Sequence, residues 1–502
     1  MKQILLFGAG KSSSALIDYI LKNAEEELWK LTVIDADFQL AKNKIGDSPF
    51  GMAATFDVND SHQRSSLIRT ADLVISLLPP HLHIQIAKDC LQLRKNLLTA
   101  SYINNELRSL SQEIKAAGIL FLCEMGLDPG IDHMSAKKII DTIRSNDGMI
   151  TSFMSHCGGL VAPESDDNPW HYKISWNPKN VVNAGKDGAI FKQDGKIVKL
   201  NYHEVFGEKR YLALGEELFC WYPNRDSLNY AQVYGLENCH TFIRTTLRHP
   251  DFIYGWQNLI DLKLTDETVY LETGHKTVHQ VFQEHLDKNN FKNWLEQKLH
   301  DQFDITKSLL SNLVNLTQME QQSSKQGIEP AENFMMVTEK GSLQNVDLED
   351  LKNDAAATIA FKLHESKLTL SQLFYLGMDD NKTMVNKGHC SAANFLQFLL
   401  ENKLALKDQD KDRVVMLHEI EYLIADTPFK IRSSLSINGQ NKDHTAMAKT
   451  VGLPLGIAAK LILKGEINLK GLQIPVKKEI YEPVLKELKD LGIEFTEETI
   501  PL

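Results

Sequence analysis

No Cys-x-x-Cys pair occurs in these 502 residues, and the six cysteines, Cys90, Cys123, Cys157, Cys220, Cys239 and Cys390, stand at no metal-ligand spacing. Thiols so few and scattered in so long a chain exclude a disulfide framework and fit a reducing compartment. There is no long basic run, and the net charge is −11. That balance excludes nucleic acid or an anionic membrane surface as the main partner. It leaves room for an anionic small molecule, because a local arginine pair can dominate a site whatever the net charge. No apolar stretch reads as long enough to span a membrane, and the run Ile4–Phe7 before Gly8 is too short for a signal peptide. The cytoplasm is the expected location. No internal repeat is found, and no metal site is expected: His275 and His279 stand four apart without an acidic third ligand and read as a solvated helix face.

What is present is a chain long enough for two or three domains. Its 43% hydrophobic and 24% charged residues are the balance of a globular protein. Short apolar runs alternate with helical periodicity at first. Ile4–Phe7, Leu31–Ile34, Ala53–Phe56, Leu73–Leu78, Asn96–Ala100 and Ile119–Cys123 read as strands, and Leu16, Ile17, Ile20 and Leu21 as one face of a helix. Continuous rather than alternating runs imply strands buried on both faces, as in a parallel α/β sheet. After Asp128-Pro129-Gly130, the residues Ile131, Met134, Ile139, Ile140 and Ile143 take helical spacing. Helical patterns such as Leu309–Leu316 and Asp347–Leu363 dominate residues 276–412, interrupted by a polar stretch, Gln318–Gln326, expected to be a loop. Val414–Ile424 and Phe429–Ile437 alternate like a hairpin, and a helix follows over Thr445–Leu463.

Gly8-Ala9-Gly10-Lys11-Ser12-Ser13 follows the first strand and opens a helix. The first glycine permits the turn, the second lets a pyrophosphate approach, and the helix N-terminus offers free N–H groups and a favourable dipole. Ser13 replaces the usual third glycine and is small enough for close packing. The second strand ends in Asp35, 25 residues past Gly10. A carboxylate there accepts hydrogen bonds from an adenosine ribose and repels a 2′-phosphate, and the next residue, Ala36, offers no positive charge. NAD is therefore expected over NADP. Ser76, Leu77 and Ala100 end further parallel strands, where a dinucleotide lies in this architecture.

Downstream stand Gly126-Leu127-Asp128-Pro129-Gly130-Ile131-Asp132-His133, Cys157-Gly158-Gly159-Leu160, Tyr172-Lys173-Ile174-Ser175-Trp176, Tyr222-Pro223-Asn224-Arg225-Asp226-Ser227 and Thr246-Leu247-Arg248, with Val451-Gly452-Leu453-Pro454 near the end. In this order the series resembles the saccharopine dehydrogenase family, specifically its glutamate-forming members, the saccharopine reductases. The resemblance implies an α/β architecture: an N-terminal Rossmann domain (1–125), an α/β substrate domain (126–275, completed by about 413–440), an inserted mostly helical domain (276–412), and a segment (441–502) returning to the first two. It implies oxidation of saccharopine to 2-aminoadipate 6-semialdehyde and glutamate, with a homodimer as the assembly. It adds Asp57, Val58, Leu127, Pro129 and Trp176 to the cofactor residues, and places Ser101, Tyr102, Thr246 and Leu247 at the substrate. Members using NADPH carry an arginine where this chain has Ala36. Enzymes making carboxynorspermidine-type or opine-type amines share the chemistry, and a dinucleotide-sensing regulator is the non-catalytic alternative.

The reaction needs carboxylate anchors and proton carriers. Arg225 and Arg248 are the expected clamps, since a planar fork binds a carboxylate through two hydrogen bonds. Asp128 is expected to bind the substrate ammonium or to accept a proton through water, unless it serves only as a helix N-cap. Tyr102 and Cys157 are expected near the reacting carbon, with Cys157 read more simply as a small packed residue. Lys173 is a second proton carrier if desolvated. His83 reads as a structural, hydrogen-bonded histidine.

Overall fold

The structure, a computed structural model, describes residues 1–325, 333–337 and 343–502. Two compact units emerge: residues 1–167, 171–250 and 404–502 form the first, and residues 168–170 and 251–403 the second.

The first unit contains two sheets. One is built from β1 (Lys2–Phe7), β2 (Trp29–Ile34), β3 (Gly51–Ala54), β4 (Leu73–Ser76), β5 (Asn96–Thr99) and β6 (Leu120–Leu122). Their spatial order, 3-2-1-4-5-6, is that of a dinucleotide-binding Rossmann sheet, and every pairing is parallel. A late strand, Gly471–Gln473, joins β6 at the far edge. Strand β3 sits two residues before the apolar run that suggested it, because Gly51–Ala54 is the stretch that pairs with Leu31–Ile34. The buried residues of β1, β2 and β4 fill both faces, as uninterrupted apolar runs require.

The second sheet has ten strands. Its main path runs Arg210–Leu214, Glu217–Pro223, Thr241–Arg248, Met149–Val161, Asp412–Ile424, Thr427–Asn438 and Thr496–Pro501. The hairpin near residue 425 is present, two residues longer at its start than its alternation showed. The helix Ile131–Ser145 lies on one face of this sheet and buries Ile139, Ile140 and Ile143 against Phe153, Phe242 and Ile420. Arg244 and His418 lie one alternation along from Phe242 and Ile420, so strand geometry aims them at the same helix. His418 meets it through Ser135 Oγ at 2.7 Å.

The helix Ala446–Lys464 is long and apolar enough to cross a membrane by length and composition, contrary to the sequence reading. Most of it is buried, however. A Cβ on Gly452 would lie 2.7 Å from Leu16 N, and one on Gly456 2.5 Å from Tyr19 Cδ1, so glycine lets this helix press against Ser14–Asn23.

The second unit is mainly helical: Pro250–Asp261, Val278–Lys288, Phe291–Lys325, Leu348–Tyr375 and Ala392–Lys403. Its long segment runs from Asp251 to Lys403, beside the expected 276–412, and residues 168–170 join it. The apolar face of Pro250–Asp261 explains the difference: Phe252 stacks on Trp256 at 5.1 Å and meets Trp170 edge-on at 6.2 Å. The polar stretch expected as a loop continues the helix to Lys325, since Gln, Glu and Lys are good helix formers; Gln326 lies outside the described residues. His275 precedes the helix capped by Thr277, so it does not share a helix face with His279.

Candidate active site

The glycine loop has the form that a dinucleotide needs. Gly8 takes φ +103°, and a Cβ there would meet the Leu77 carbonyl oxygen at 2.9 Å, so only glycine fits. A Cβ at Gly10 would meet nothing within 4 Å, which leaves its backbone open to a ligand. Ser13 closes the turn by donating Oγ–H to the Gly10 carbonyl at 2.9 Å. Asp35 accepts from Ala9 N at 2.7 Å and from Asp37 N at 2.9 Å, which fixes a carboxylate beside the loop at the end of β2. Lys44, overlooked in the sequence, donates to the Gly10 carbonyl and to Ser13 Oγ, and burial lowers its pKa to about 8. Lys11 Nζ reaches the Ile174 carbonyl at 3.3 Å, which brings the Tyr172–Trp176 segment to the loop; Trp176 donates to Tyr172 Oη. Asp57 and Val58 stand on the loop after β3. Asp57 accepts from Asn59 N, and buried Arg64 holds the Val58 carbonyl while pairing with Asp89. Ser12 lies in the single 3-10 turn between the loop and the helix.

At the carboxyl edge of the sheet, residues 124–130 cross the end of β5. Met125 N donates to the Thr99 carbonyl and Glu124 N to the Ser101 carbonyl. Gly126 lies against Ala100, and a Cβ on Gly130, whose φ is +149°, would sit 2.0 Å from Gly126 O. This crossing buries Leu127 and brings Asp128, with Pro129 after it, onto Tyr102. Asp128 is not the helix cap; Gly130 is, and the Asp132 carboxylate takes Gly130 N at 2.6 Å.

The centre of the cluster is Arg244. Its Nη2 donates to Asp128 Oδ1 at 2.6 Å, to Asp132 Oδ2 at 2.7 Å and to Tyr102 Oη at 3.2 Å, and its guanidinium lies over the Tyr230 ring at 4.4 Å. Tyr102 donates to Asp128 Oδ1 at 2.7 Å. Burial raises the Asp128 pKa, with Arg244 opposing. Burial also acts on Asp132, but His133 and Arg244 outweigh it and hold that carboxyl below its ordinary value. Burial keeps the Tyr102 phenol well above its usual range, so it remains a neutral donor. Two acids on one cation are thus shifted in opposite directions.

The other sequence candidates fall differently. Cys157 is buried, and burial together with Asp128 and Asp132 drives its thiol well above 9, which suits packing and not nucleophilic attack. Lys173 is buried and held between Asp410 at 2.7 Å and Asp167 at 2.8 Å, so it is not a solvated surface lysine. Arg225 pairs with Asp187 at 3.5 Å, its side chain 60% exposed, and lies over the Tyr102 ring at 5.4 Å. Arg248 is buried; it donates to the Leu247 carbonyl at 2.8 Å and the Gly159 carbonyl at 3.3 Å, and lies over Tyr172. Thr246 shares the sheet face of Arg244 and Arg248, beside Cys157. Leu247 is fully buried on the opposite face. Ser101 receives or donates a 2.8 Å bond with His83 Nε2, while His83 Nδ1 meets Ser76 Oγ at 2.8 Å. Burial lowers His83 to about 4, so it is neutral and ties the cofactor edge to the Ser101–Tyr102 segment.

A Rossmann sheet with an open glycine cradle, and an acid–phenol–guanidinium cluster at its carboxyl edge, define a nicotinamide-dinucleotide oxidoreductase. Residues 4–122 match the saccharopine dehydrogenase NADP binding domain and residues 126–493 the saccharopine dehydrogenase C-terminal domain, so the chain belongs to the saccharopine dehydrogenase family. It is 30% identical to the NADP(+), L-glutamate-forming saccharopine dehydrogenase of Saccharomyces cerevisiae, over 99% of each chain. It is also 30% identical to the mitochondrial alpha-aminoadipic semialdehyde synthase of Mus musculus, but spans only 48% of that protein. The solved apo saccharopine dehydrogenase (L-Glu forming) of S. cerevisiae superposes with a TM-score of 0.77 at 28% identity, over 100% of both chains. The fungal names and the first domain's description favour NADP, and give no support to the preference for NAD expected from Asp35.

Proposed function

We propose that this chain oxidises saccharopine at the carbon joining its secondary amine to the lysine-derived chain, giving 2-aminoadipate 6-semialdehyde and glutamate in lysine metabolism. The observation that carries the reading is the Tyr102–Asp128–Arg244 cluster at the edge of the dinucleotide sheet, in a chain matched end to end by a yeast enzyme of that name. The glycine loop and Asp35 would hold the dinucleotide, which supplies the hydride acceptor when bound. Asp128 takes the proton from the secondary ammonium, freeing the nitrogen lone pair as hydride leaves the neighbouring carbon. That proton passes to solvent. Asp128 then takes one from the water that adds to that carbon and gives it to nitrogen; as the C–N bond breaks it receives the carbinol proton and passes it to the freed amine of glutamate, so one proton is released overall. A raised pKa suits an acid that must both take and give a proton near neutrality. Arg244 and Tyr102 hold the carboxylate in place throughout.

The test is turnover of saccharopine beside carboxynorspermidine and an opine, each with NAD and NADP. Oxidation of either alternative in preference to saccharopine, or no turnover at all, would overturn the reading. A homodimer in the cytoplasm belongs to the same proposal, and sedimentation of the purified chain checks the first part.

For the cofactor, the proposal is NAD over NADP, because the fixed Asp35 carboxylate repels a 2′-phosphate and Ala36 brings no compensating charge. The ratio of kcat/KM for the two cofactors measures it, and a higher value with NADP refutes it. Asp35→Ser with Ala36→Arg is expected to move the ratio toward NADP. For the substrate, Arg225→Lys keeps the charge and loses the fork. It is expected to raise KM for saccharopine about ten-fold with KM for the dinucleotide unchanged, the scale of one charged hydrogen bond. Arg248→Lys should act in the same direction and also lower the melting temperature, since its donors satisfy buried carbonyls. Unchanged saccharopine kinetics in both variants would remove the clamp.

A further inference from the structure

Behind the reacting cluster lies a second set of buried ionisable groups that the chemistry above does not use. Glu124 is 3% exposed, and its backbone holds φ +58°, a left-handed conformation unfavourable for a residue with a side chain. Its carboxylate nevertheless has three partners. Oε1 accepts from Ile103 N at 3.1 Å; Oε2 meets His133 Nε2 at 2.8 Å and accepts from Tyr230 Oη at 3.1 Å. The other nitrogen of His133 meets Tyr234 Oη at 2.5 Å and lies 3.5 Å from Asp132 Oδ2. Asp132 is the carboxylate that shares Arg244 with Asp128.

The contacts close into a ring. Tyr102 leads to Asp128, then to Arg244, Asp132, His133 and Glu124; Glu124 grips the backbone on both sides of Tyr102, through Ser101 O and Ile103 N. Three carboxylates, one guanidinium and one imidazole take part. Facing the ring among the described residues are the phenols Tyr230 and Tyr234 from the helix Leu228–Tyr234, the thiols Cys157 from the strand Met149–Val161 and Cys123 beside Glu124, the neutral His418 from Asp412–Ile424, and one exposed cation, Arg225, over the Tyr102 ring.

We infer that Glu124 and His133 are positioning residues: the pair keeps Asp132 ionised against Arg244 and thereby assigns the exchangeable proton of the site to Asp128. Neither residue touches the reacting atoms. They act by making the two acids unequal, without which the proton exchanged during the reaction would divide between Asp128 and Asp132. The inference rests on Asp128 as proton carrier in the proposed oxidation.

The test reads the proton directly and needs no substrate. Infrared difference spectra of the full chain across pH give the band of the protonated carboxyl. In the parent this band is expected to disappear in Asp128→Asn and to persist in Asp132→Asn. In a Glu124→Gln background, His133 loses the carboxylate that holds it against Asp132, so the proton moves. The band should then persist in Asp128→Asn and disappear in Asp132→Asn. His133→Gln should give the same exchange, and serves if Glu124→Gln does not fold. In either background kcat for saccharopine should fall about ten-fold or more with KM for the dinucleotide unchanged. A band that still belongs to Asp128 in both backgrounds overturns the inference, whatever the activity. A parent enzyme that ignores saccharopine overturns the proposed reaction and leaves the infrared assignment to be judged by itself.

Discussion

Asp128→Asn is expected to lower kcat for saccharopine by about 10²–10⁴-fold, the usual contribution of a positioned acid–base group, without lowering the melting temperature at neutral pH. The substitution keeps the shape of the side chain and an oxygen for Tyr102 and Arg244 to bond. It does not touch the helix start, where Gly130 is the cap and Asp132 supplies the carboxylate. It removes one of two buried acids that share a single guanidinium. The pH dependence has a definite sign. Burial raises the folded pKa of Asp128 above its unfolded value, so the native state holds this proton more tightly than the unfolded chain does. That stabilisation is present below the unfolded pKa and is lost as pH rises through the folded one. Asparagine has no proton to lose. The melting temperature of the variant should therefore gain on the parent's as pH rises past the ordinary carboxylate range, while its activity remains low at every pH. Thermal melts and steady-state rates between pH 4 and pH 9 decide the matter, and full activity in the variant would move the proton carrier elsewhere.

What could be read from the chain alone follows how far apart the partners are. The glycine loop, β1 and Asp35 were legible because the signal is local: a strand, a turn and a helix within a few residues, and one acid at the next strand end. Asp128 was legible as a candidate, but its alternative role as a cap was open until the backbone showed that Gly130 takes that position. The surroundings of Lys173 were not legible because its partner Asp410 is 237 residues away, and no pattern near Tyr172–Trp176 announces an ion pair. Arg244 was missed for the same reason. It becomes central only when Thr241–Arg248 lies beside Met149–Val161 and both face the helix holding Asp132. One signal was present. In Thr-Phe-Ile-Arg-Thr-Thr-Leu-Arg, alternation puts Phe242, Arg244, Thr246 and Arg248 on one face, so an inward Phe242 already implied an inward Arg244. The helical unit was legible as helix but not by its limits, since the packing of Trp170 and Phe252 that sets them joins residues far apart in sequence.

The largest loss of stability is expected from Arg244→Met. Methionine fills the volume but leaves Asp128 and Asp132 facing each other with no cation between them. Removing one side of a buried ion pair costs about 3–5 kcal/mol, and here one side serves two acids. Activity should disappear with it, because Tyr102 and Asp128 lose the group that sets their geometry. The effect also reverses a pH slope. In the parent, His133 and Arg244 hold the Asp132 pKa below its unfolded value, so Asp132 contributes stability above that value which is lost as pH falls through the folded one. Without Arg244, burial dominates both acids and their folded pKa values rise. The variant should then gain stability relative to the parent as pH falls, when both carboxyls can be protonated. Charge and geometry separate in two further variants. Arg244→Lys keeps a cation where a single nitrogen already serves both acids, so it should recover part of the stability; it loses the stacking on Tyr230 and should recover little turnover. Arg244→Met combined with Asp132→Asn removes the unpaired acid together with its cation, and should be less destabilised than the two single losses added. Strict additivity in that double-mutant cycle would mean that Arg244 and Asp132 are not coupled. A stable, active Arg244→Met would show that the cluster is not held by this guanidinium at all.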